Sequence, residues 1–202
     1  ASGGPHIVQA LRIDLHDPDV RLFTTPPNTN NYAINSRETL SQIPADFLKT
    51  NHLKVAINGA HYAGNTSYTA PDGSAEYLHD IAISQGAAVS PSDYYGEADS
   101  LMLFTSNKVA SFIASSPPSY YTTNEVYNYA VDNALYHAIP GIYPLVVDGA
   151  NIGHTYDGLG GSLHSAQPRS AIGYSEDGRY LILLAIDGRQ SDSNGAMDYE
   201  TA

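Results

Sequence analysis

Short apolar runs separated by two- or three-residue turn signals recur along this chain, and that spacing restricts it to a fold assembled from β-hairpins. Residues 81–84 and 87–89 flank Gln85-Gly86, and residues 101–105 and 108–113 flank Ser106-Asn107. Residues 145–147 and Ile152 bracket Asp148-Gly149, a pair suited to the left-handed backbone of a type I′ turn. The strongest hairpin signal is 171–174 and 180–186 around Glu176-Asp177-Gly178. Near the start, Ile7, Leu11, Ile13 and Leu15 mostly alternate with polar residues until Pro18, with 20–23 as the return strand. Residues 55–58 read as a short buried strand.

Two segments read as helices. Asn35 caps one that runs to about Lys49, with Glu38 completing a capping box and Pro44 kinking or splitting it. Thr123 caps the other, which runs to about His137 and is closed by Pro140-Gly141. The expected class is therefore α+β: a mixed, largely antiparallel sheet core built from hairpins, with two or so packing helices. With 202 residues, 42% of them hydrophobic, residues 1–202 suit a single domain with its own core.

Composition removes several function classes. Nine basic residues against 21 acidic ones give a net charge of -12, which repels nucleic acid and anionic lipid surfaces. There is no Cys, so disulfides, thiolate catalysis and Cys-based zinc sites are excluded. No apolar run approaches the roughly 18 residues of a membrane-spanning helix. Ala1-Ser2-Gly3-Gly4-Pro5 fits the end left by removal of a signal or tag. Sixteen Tyr against four Phe and no Trp favour carbohydrate or protein contact, and the long loops at 26–34, 60–78, 90–99 and 115–121 carry tyrosines that favour binding.

The familiar catalytic signatures HExxH, GxSxG and Walker A are missing. Gly158-Leu159-Gly160-Gly161-Ser162, near His164, lacks the flanking strand and helix of a phosphate cradle and reads as a plain loop. His61 and His79 flank one loop without ligand spacing. Asp14, Asp17 and Asp19 imitate calcium-loop spacing, but Pro18 and the lack of a following Glu favour a turn. No cofactor is required by these patterns, although a structural divalent cation such as calcium would suit so acidic a chain.

The C-terminal hairpin carries the chemistry. A three-residue loop with Gly178 in the left-handed position sets Arg169 opposite Ala185 and Gln167 opposite Asp187. Arg169, Asp187 and Arg189 then share one face at the hairpin's open end, with small Ala171, Gly173 and Ala185 leaving space above it. A two-residue loop would put Arg169 on the other face. Two guanidinium groups beside a carboxylate suit a phosphate or phosphodiester, which arginine grips bidentately. The plainer reading is a surface Arg–Asp–Arg ion cluster of little energetic weight.

These residues fall in a recognisable order. Residues 167–174, Asp177-Gly178, Asp187-Gly188-Arg189-Gln190, Ser193-Asn194-Gly195-Ala196-Met197 and Glu200 resemble the C-terminal core of the phosphodiester glycosidase family. Val55-Ala56-Ile57-Asn58-Gly59-Ala60-His61-Tyr62 is similar to that family's Ile-Asn-Gly-Gly-Phe-Phe strand and turn. Residues 81–86 and 144–149 resemble two of its hairpins, and 11–15 with Asp17-Pro18 its opening strand. The resemblance implies a secreted hydrolase, extracellular or periplasmic, acting on a glycosyl phosphodiester or a related exopolysaccharide linkage. It implies substrate contacts from Asn58, Arg169 and Arg189, and from His61 and Tyr62 where the family has an aromatic pair. Asp187 and Glu200 are the implied catalytic carboxylates, with Asp148 as a weaker partner that suits a turn better.

The family continues into an Asn-Leu-Asp-Gly-Gly-Gly-Ser strand and turn that this sequence does not contain. The expectation is a strand edge filled by a further segment or by a neighbouring subunit of a homo-oligomer. A rival from another class is a non-catalytic extracellular module that binds glycans or self-assembles on the same fold.

Overall fold

The computed structural model describes residues 7–28, 38–59, 62–63, 73–78, 81–90, 100–114, 134–153 and 168–188. In chain order the first elements are β1 (Val8–Asp14), β2 (Thr39–Leu40), α1 (Pro44–Thr50), β3 (Tyr62–Ala63), β4 (Ala75–Leu78), β5 (Ala82–Ser84) and β6 (Ala87–Ser90). They are followed by β7 (Ser100–Thr105), β8 (Ala110–Ala114), β9 (Leu135–Gly141), β10 (Val146–Val147), β11 (Ala150–Asn151), β12 (Arg169–Tyr174) and β13 (Tyr180–Ile186). The chain forms two compact units, one of Ala1–Val20 with Tyr143–Ala202 and one of Arg21–Ile142.

In the first unit β13, a run of Leu and Ile, is the middle strand of an antiparallel sheet ordered β1-β13-β12. Val8 pairs with Ile186 and Asp14 with Tyr180, so the opening strand docks along the whole of β13. Leu181 and Ile186 are buried, and so is Leu15, whose N–H donates to the Arg179 carbonyl at 2.8 Å. The Asp148-Gly149 turn forms as expected, with φ of 50° and 76°, joining β10 to β11.

In the second unit the main sheet runs β6-β5-β9-β7-β8. Ile83, Ala138 and Leu103 lie in one row across β5, β9 and β7, and with Ile81 and Leu101 they form the buried core. Each of the Leu and Ile side chains contributes about 1.5–3 kcal/mol on burial. The opposite face of β7 is buried as well, through Met102 and Phe104. That explains why Ser100–Thr105 reads as a continuous apolar run rather than an alternating one. Gln85 and Gly86 take φ of 51° and 79°, the type I′ geometry that a two-residue loop demands. The Ser106-Asn107 turn is one residue longer than expected: Thr105 N–H bonds Val109 O, and Lys108 takes the left-handed position at φ 63°.

Three expected elements change. Pro44 does not kink a helix but begins one at its first position, where its missing N–H costs nothing. Thr39 and Leu40, placed in that helix by the sequence reading, instead pair with Glu76 and Ala75. The helix ends with His52 at φ 54° and Leu53 N–H bonded to Leu48 O. The helix expected over 123–137 is not supported at its end, because β9 begins at Leu135; residues 115–133 lie outside the described residues. Among the described residues the runs 20–23 and 55–58 pair in no ladder. The described structure is thus mostly antiparallel β with one short helix, less α than the expected α+β class.

Around Thr24 the chain contacts the Phe104–His137 face of the main sheet, while Pro26 and Asn28 bond to Thr39 and Glu38. Thr24 Oγ1 lies 2.9 Å from His137 Nδ1 and 3.2 Å from the Ile83 carbonyl, and Ser84 Oγ donates to Thr24 O at 2.8 Å. Phe23 packs on Phe47 of α1 with ring centroids 5.7 Å apart. His137 is fully buried, and that desolvation holds its pKa below the usual histidine range. Below pH of about 6.5 the unfolded chain takes up a proton that the native imidazole refuses, so stability is lost as pH falls through that value. Thermal unfolding at pH 7.5 and 5.5 should show a larger fall in Tm for the natural protein than for His137→Gln.

Candidate functional site

The turn joining β12 to β13 decides which side chains meet. Ser175 N–H bonds Tyr180 O at 2.9 Å, and Tyr180 N–H bonds Ser175 Oγ at 2.9 Å. The Ser175 hydroxyl donates to Asp177 Oδ1 at 2.5 Å, and the same oxygen accepts the Arg179 N–H at 3.1 Å. Gly178 takes the expected left-handed φ of 70°. The loop, however, spans residues 176–179 rather than three residues, because Ser175 and Tyr180 close it together.

One residue of loop changes every face. Arg169 lies opposite Ile186, not Ala185, and Ser170 lies opposite Ala185. Side chains alternate along a strand, so Arg169 shares its face with Ala171, Gly173, Leu184 and Ile186. Asp187 continues the face of Leu183 and Ala185, with Ser170 and Ile172 across from them. The single-face Arg169–Asp187 arrangement expected from the sequence is therefore overturned by the register.

Asp187 has a different task in this structure. Its N–H donates to Ile7 O at 3.1 Å, and its Oδ1 accepts the Ile7 N–H at 2.9 Å. The carboxylate fastens the first residue before β1 to the end of β13. Arg169 is half-buried at the start of β12. In the second unit Asn58 is exposed on the segment after α1, and a Cβ on the adjoining Gly59 would lie 3.6 Å from Ile139 Cγ2 of β9. Tyr62 is 54% exposed on β3, paired with Leu78. His61, Arg189 and Glu200 lie outside the described residues. Asp148 stands in its turn at φ 50°, a structural place.

The Asp14–Asp19 segment makes a hydrogen-bonded turn. Asp14 Oδ2 accepts Arg179 Nε at 3.0 Å and Nη2 at 2.7 Å, and Asp17 Oδ1 accepts the Asp19 N–H at 2.9 Å. The Arg179 hydrogen bonds hold the Asp14 carboxyl below the usual carboxylate range, and Asp14 in turn raises Arg179. Arg12 and Arg179 both stack on the Tyr180 ring, at 4.7 and 5.1 Å. Among the described residues no three His, Asp or Glu side chains converge as metal ligands.

The sequence reading missed two carboxyls. Glu38, expected in a capping box, lies beside β2 and receives the Leu78 N–H on Oε2 at 2.8 Å. It is half-buried, and desolvation raises its pKa above the ordinary glutamate range. Glu76 on β4 is only 1% exposed. The signal available in the sequence was the β-prone Thr39-Leu40 pair, which argues for a strand at that point.

The sequence pattern of the phosphodiester glycosidase family matches residues 51–202. The chain belongs to the phosphodiester glycosidase family. No curated protein matches it.

If Asp187 acts as a fastener, Asp187→Asn should keep the Ile7 hydrogen bond and unfold close to the natural protein. Asp187→Ala should lose about 0.5–1.5 kcal/mol, the net worth of one hydrogen bond, read by denaturant titration.

Proposed function

We propose that this protein is a secreted hydrolase that cleaves a glycosyl phosphodiester, or a related exopolysaccharide linkage, between the anomeric carbon and the phosphate oxygen. The observation that carries this reading is the family match, which spans Asn58, Arg169, Asp187, Arg189 and Glu200. Arg169 and Arg189 are assigned to the phosphate oxygens, which a guanidinium holds bidentately while keeping its charge. Asn58, His61 and Tyr62 are assigned to the sugar. Glu200 is the carboxylate assigned to the chemistry, because the register sets Asp187 on the face away from Arg169 and places one of its oxygens on the Ile7 N–H.

The net charge of -12 disfavours long-range attraction of an anionic substrate, so capture must be local. The second reading, a glycan-binding module without catalysis, draws on the commitment of Asp187 to Ile7.

The two readings separate on an N-acetylglucosaminyl phosphodiester followed by ³¹P NMR in ¹⁸O-labelled water. A glycosidase converts diester to monoester and places the label in the sugar. Arg169→Lys and Arg189→Lys should each lower kcat/KM roughly ten- to a hundredfold, as expected for losing one hydrogen bond to a charged group. Binding without turnover would select the non-catalytic module, and label in the phosphate would select a phosphodiesterase instead.

A further inference from the structure

One dipeptide of the second unit carries reactive chemistry that the proposed hydrolysis does not use. Asn58 is followed by Gly59, and both residues are exposed. Residues 55–59 join no helix or strand, so rotation of that backbone breaks no ladder. Among the described residues no hydrogen bond holds the Asn58 side-chain amide or the Gly59 N–H. Other asparagines are held. Asn51 Nδ2 donates to the Phe47 carbonyl at 2.9 Å, and Asn151 Oδ1 accepts the Gly153 N–H at 2.9 Å. Asn28 is buried.

We propose that Asn58 is a modification site, where spontaneous deamidation through a succinimide converts it to aspartate and isoaspartate. The Gly59 nitrogen gives its proton to a solvent base and attacks Cγ of Asn58. The new C–N bond closes a five-membered ring. The bond from Cγ to Nδ2 breaks, and the leaving nitrogen keeps the electron pair, takes up a proton and departs as ammonia. Water then opens the ring. Cleavage at Cγ gives aspartate, and cleavage at the main-chain carbonyl gives isoaspartate, with the chain rerouted through Cβ. In total one water is consumed and one ammonia is released.

Glycine at position 59 is what permits closure, because a side chain there would shield the attacking nitrogen and narrow the backbone's freedom. The fold itself does not demand a glycine. Gly59 lies outside the left-handed region, and a Cβ there would meet Ile139 Cγ2 at 3.6 Å, an ordinary van der Waals contact. Resting on the hydrolase reading above, Asn58 is assigned to the sugar of an anionic diester. Deamidation would place a new carboxylate there, adding to the net charge of -12 and opposing the phosphate.

The test incubates the folded protein in warm, mildly alkaline buffer and follows it by peptide mass mapping, isoaspartate-specific methylation and ammonia release. Mapping separates Asn58 from Asn194-Gly195, a second such pair, which lies outside the described residues. Asn58 should gain the mass of OH in place of NH2, faster as pH rises, and about as fast in the folded protein as in denaturant. Gly59→Ala should slow the conversion roughly tenfold or more at unchanged Tm. Folded protein that keeps Asn58 intact while the denatured chain converts it overturns the proposal. Conversion equally fast in Gly59→Ala overturns it too. Activity on the sugar phosphodiester, followed in parallel, tests the other reading separately. A fall in kcat/KM in step with deamidation supports the sugar contact, whereas conversion at constant kcat/KM supports the modification site and overturns that contact alone.

Discussion

The Ser175 side chain sets the register on which the first unit depends. Its hydroxyl donates to Asp177 and accepts from the Tyr180 N–H, so both ends of the turn are tied to one atom. Those bonds favour a four-residue loop over the three-residue alternative, and loop length fixes which residues of β12 and β13 oppose each other. From that register follow the pairing of Arg169 with Ile186 and the position of Asp187 at the end of β13. Asp187 there meets the backbone of Ile7 and extends the β1 ladder by one residue. A single hydroxyl thus governs the placement of Arg169 and Asp187.

The second unit is held differently. Its main sheet is packed on both faces, by Ile83, Ala138 and Leu103 on one side and by Phe104 and His137 on the other. Burial of His137 and Ser84 is tolerated because the segment at 21–28 supplies polar partners through the side chain and carbonyl of Thr24. The smaller sheet, β2-β4-β3, follows the same logic, with Glu38 satisfying the Leu78 N–H. Glu38 is thus held by a structural hydrogen bond while burial raises its pKa.

The parts legible in the sequence were those encoded locally. Gln85-Gly86 and Asp148-Gly149 carry their left-handed geometry in the residues themselves, and both hairpins form. The parts that were not legible depend on partners distant in sequence. Thr39-Leu40 becomes a strand because Glu76 and Ala75 offer a ladder, and Leu135 joins β9 because β7 lies beside it. Residues 20–23 read as a strand, yet Thr24 is held by a sheet face instead of an edge. In the site, Arg169 was singled out by residue type, but its face depended on a side-chain hydrogen bond inside the turn. No alternation rule contains that bond.

The register can be tested directly, because the chain has no cysteine of its own. Ser170 and Ala185 are directly opposed, and counting from the bonded Ser175–Tyr180 pair makes them a non-hydrogen-bonded pair. Such pairs have Cα atoms about 4.5 Å apart, within the range a disulfide spans. The Ser170→Cys/Ala185→Cys variant should close a disulfide readily under mild oxidation, detected by mass and loss of free thiol, whereas Arg169→Cys/Ala185→Cys should not. Ready closure of the second pair and failure of the first would establish the three-residue turn, return Arg169 to the face of Asp187, and contradict the account given above.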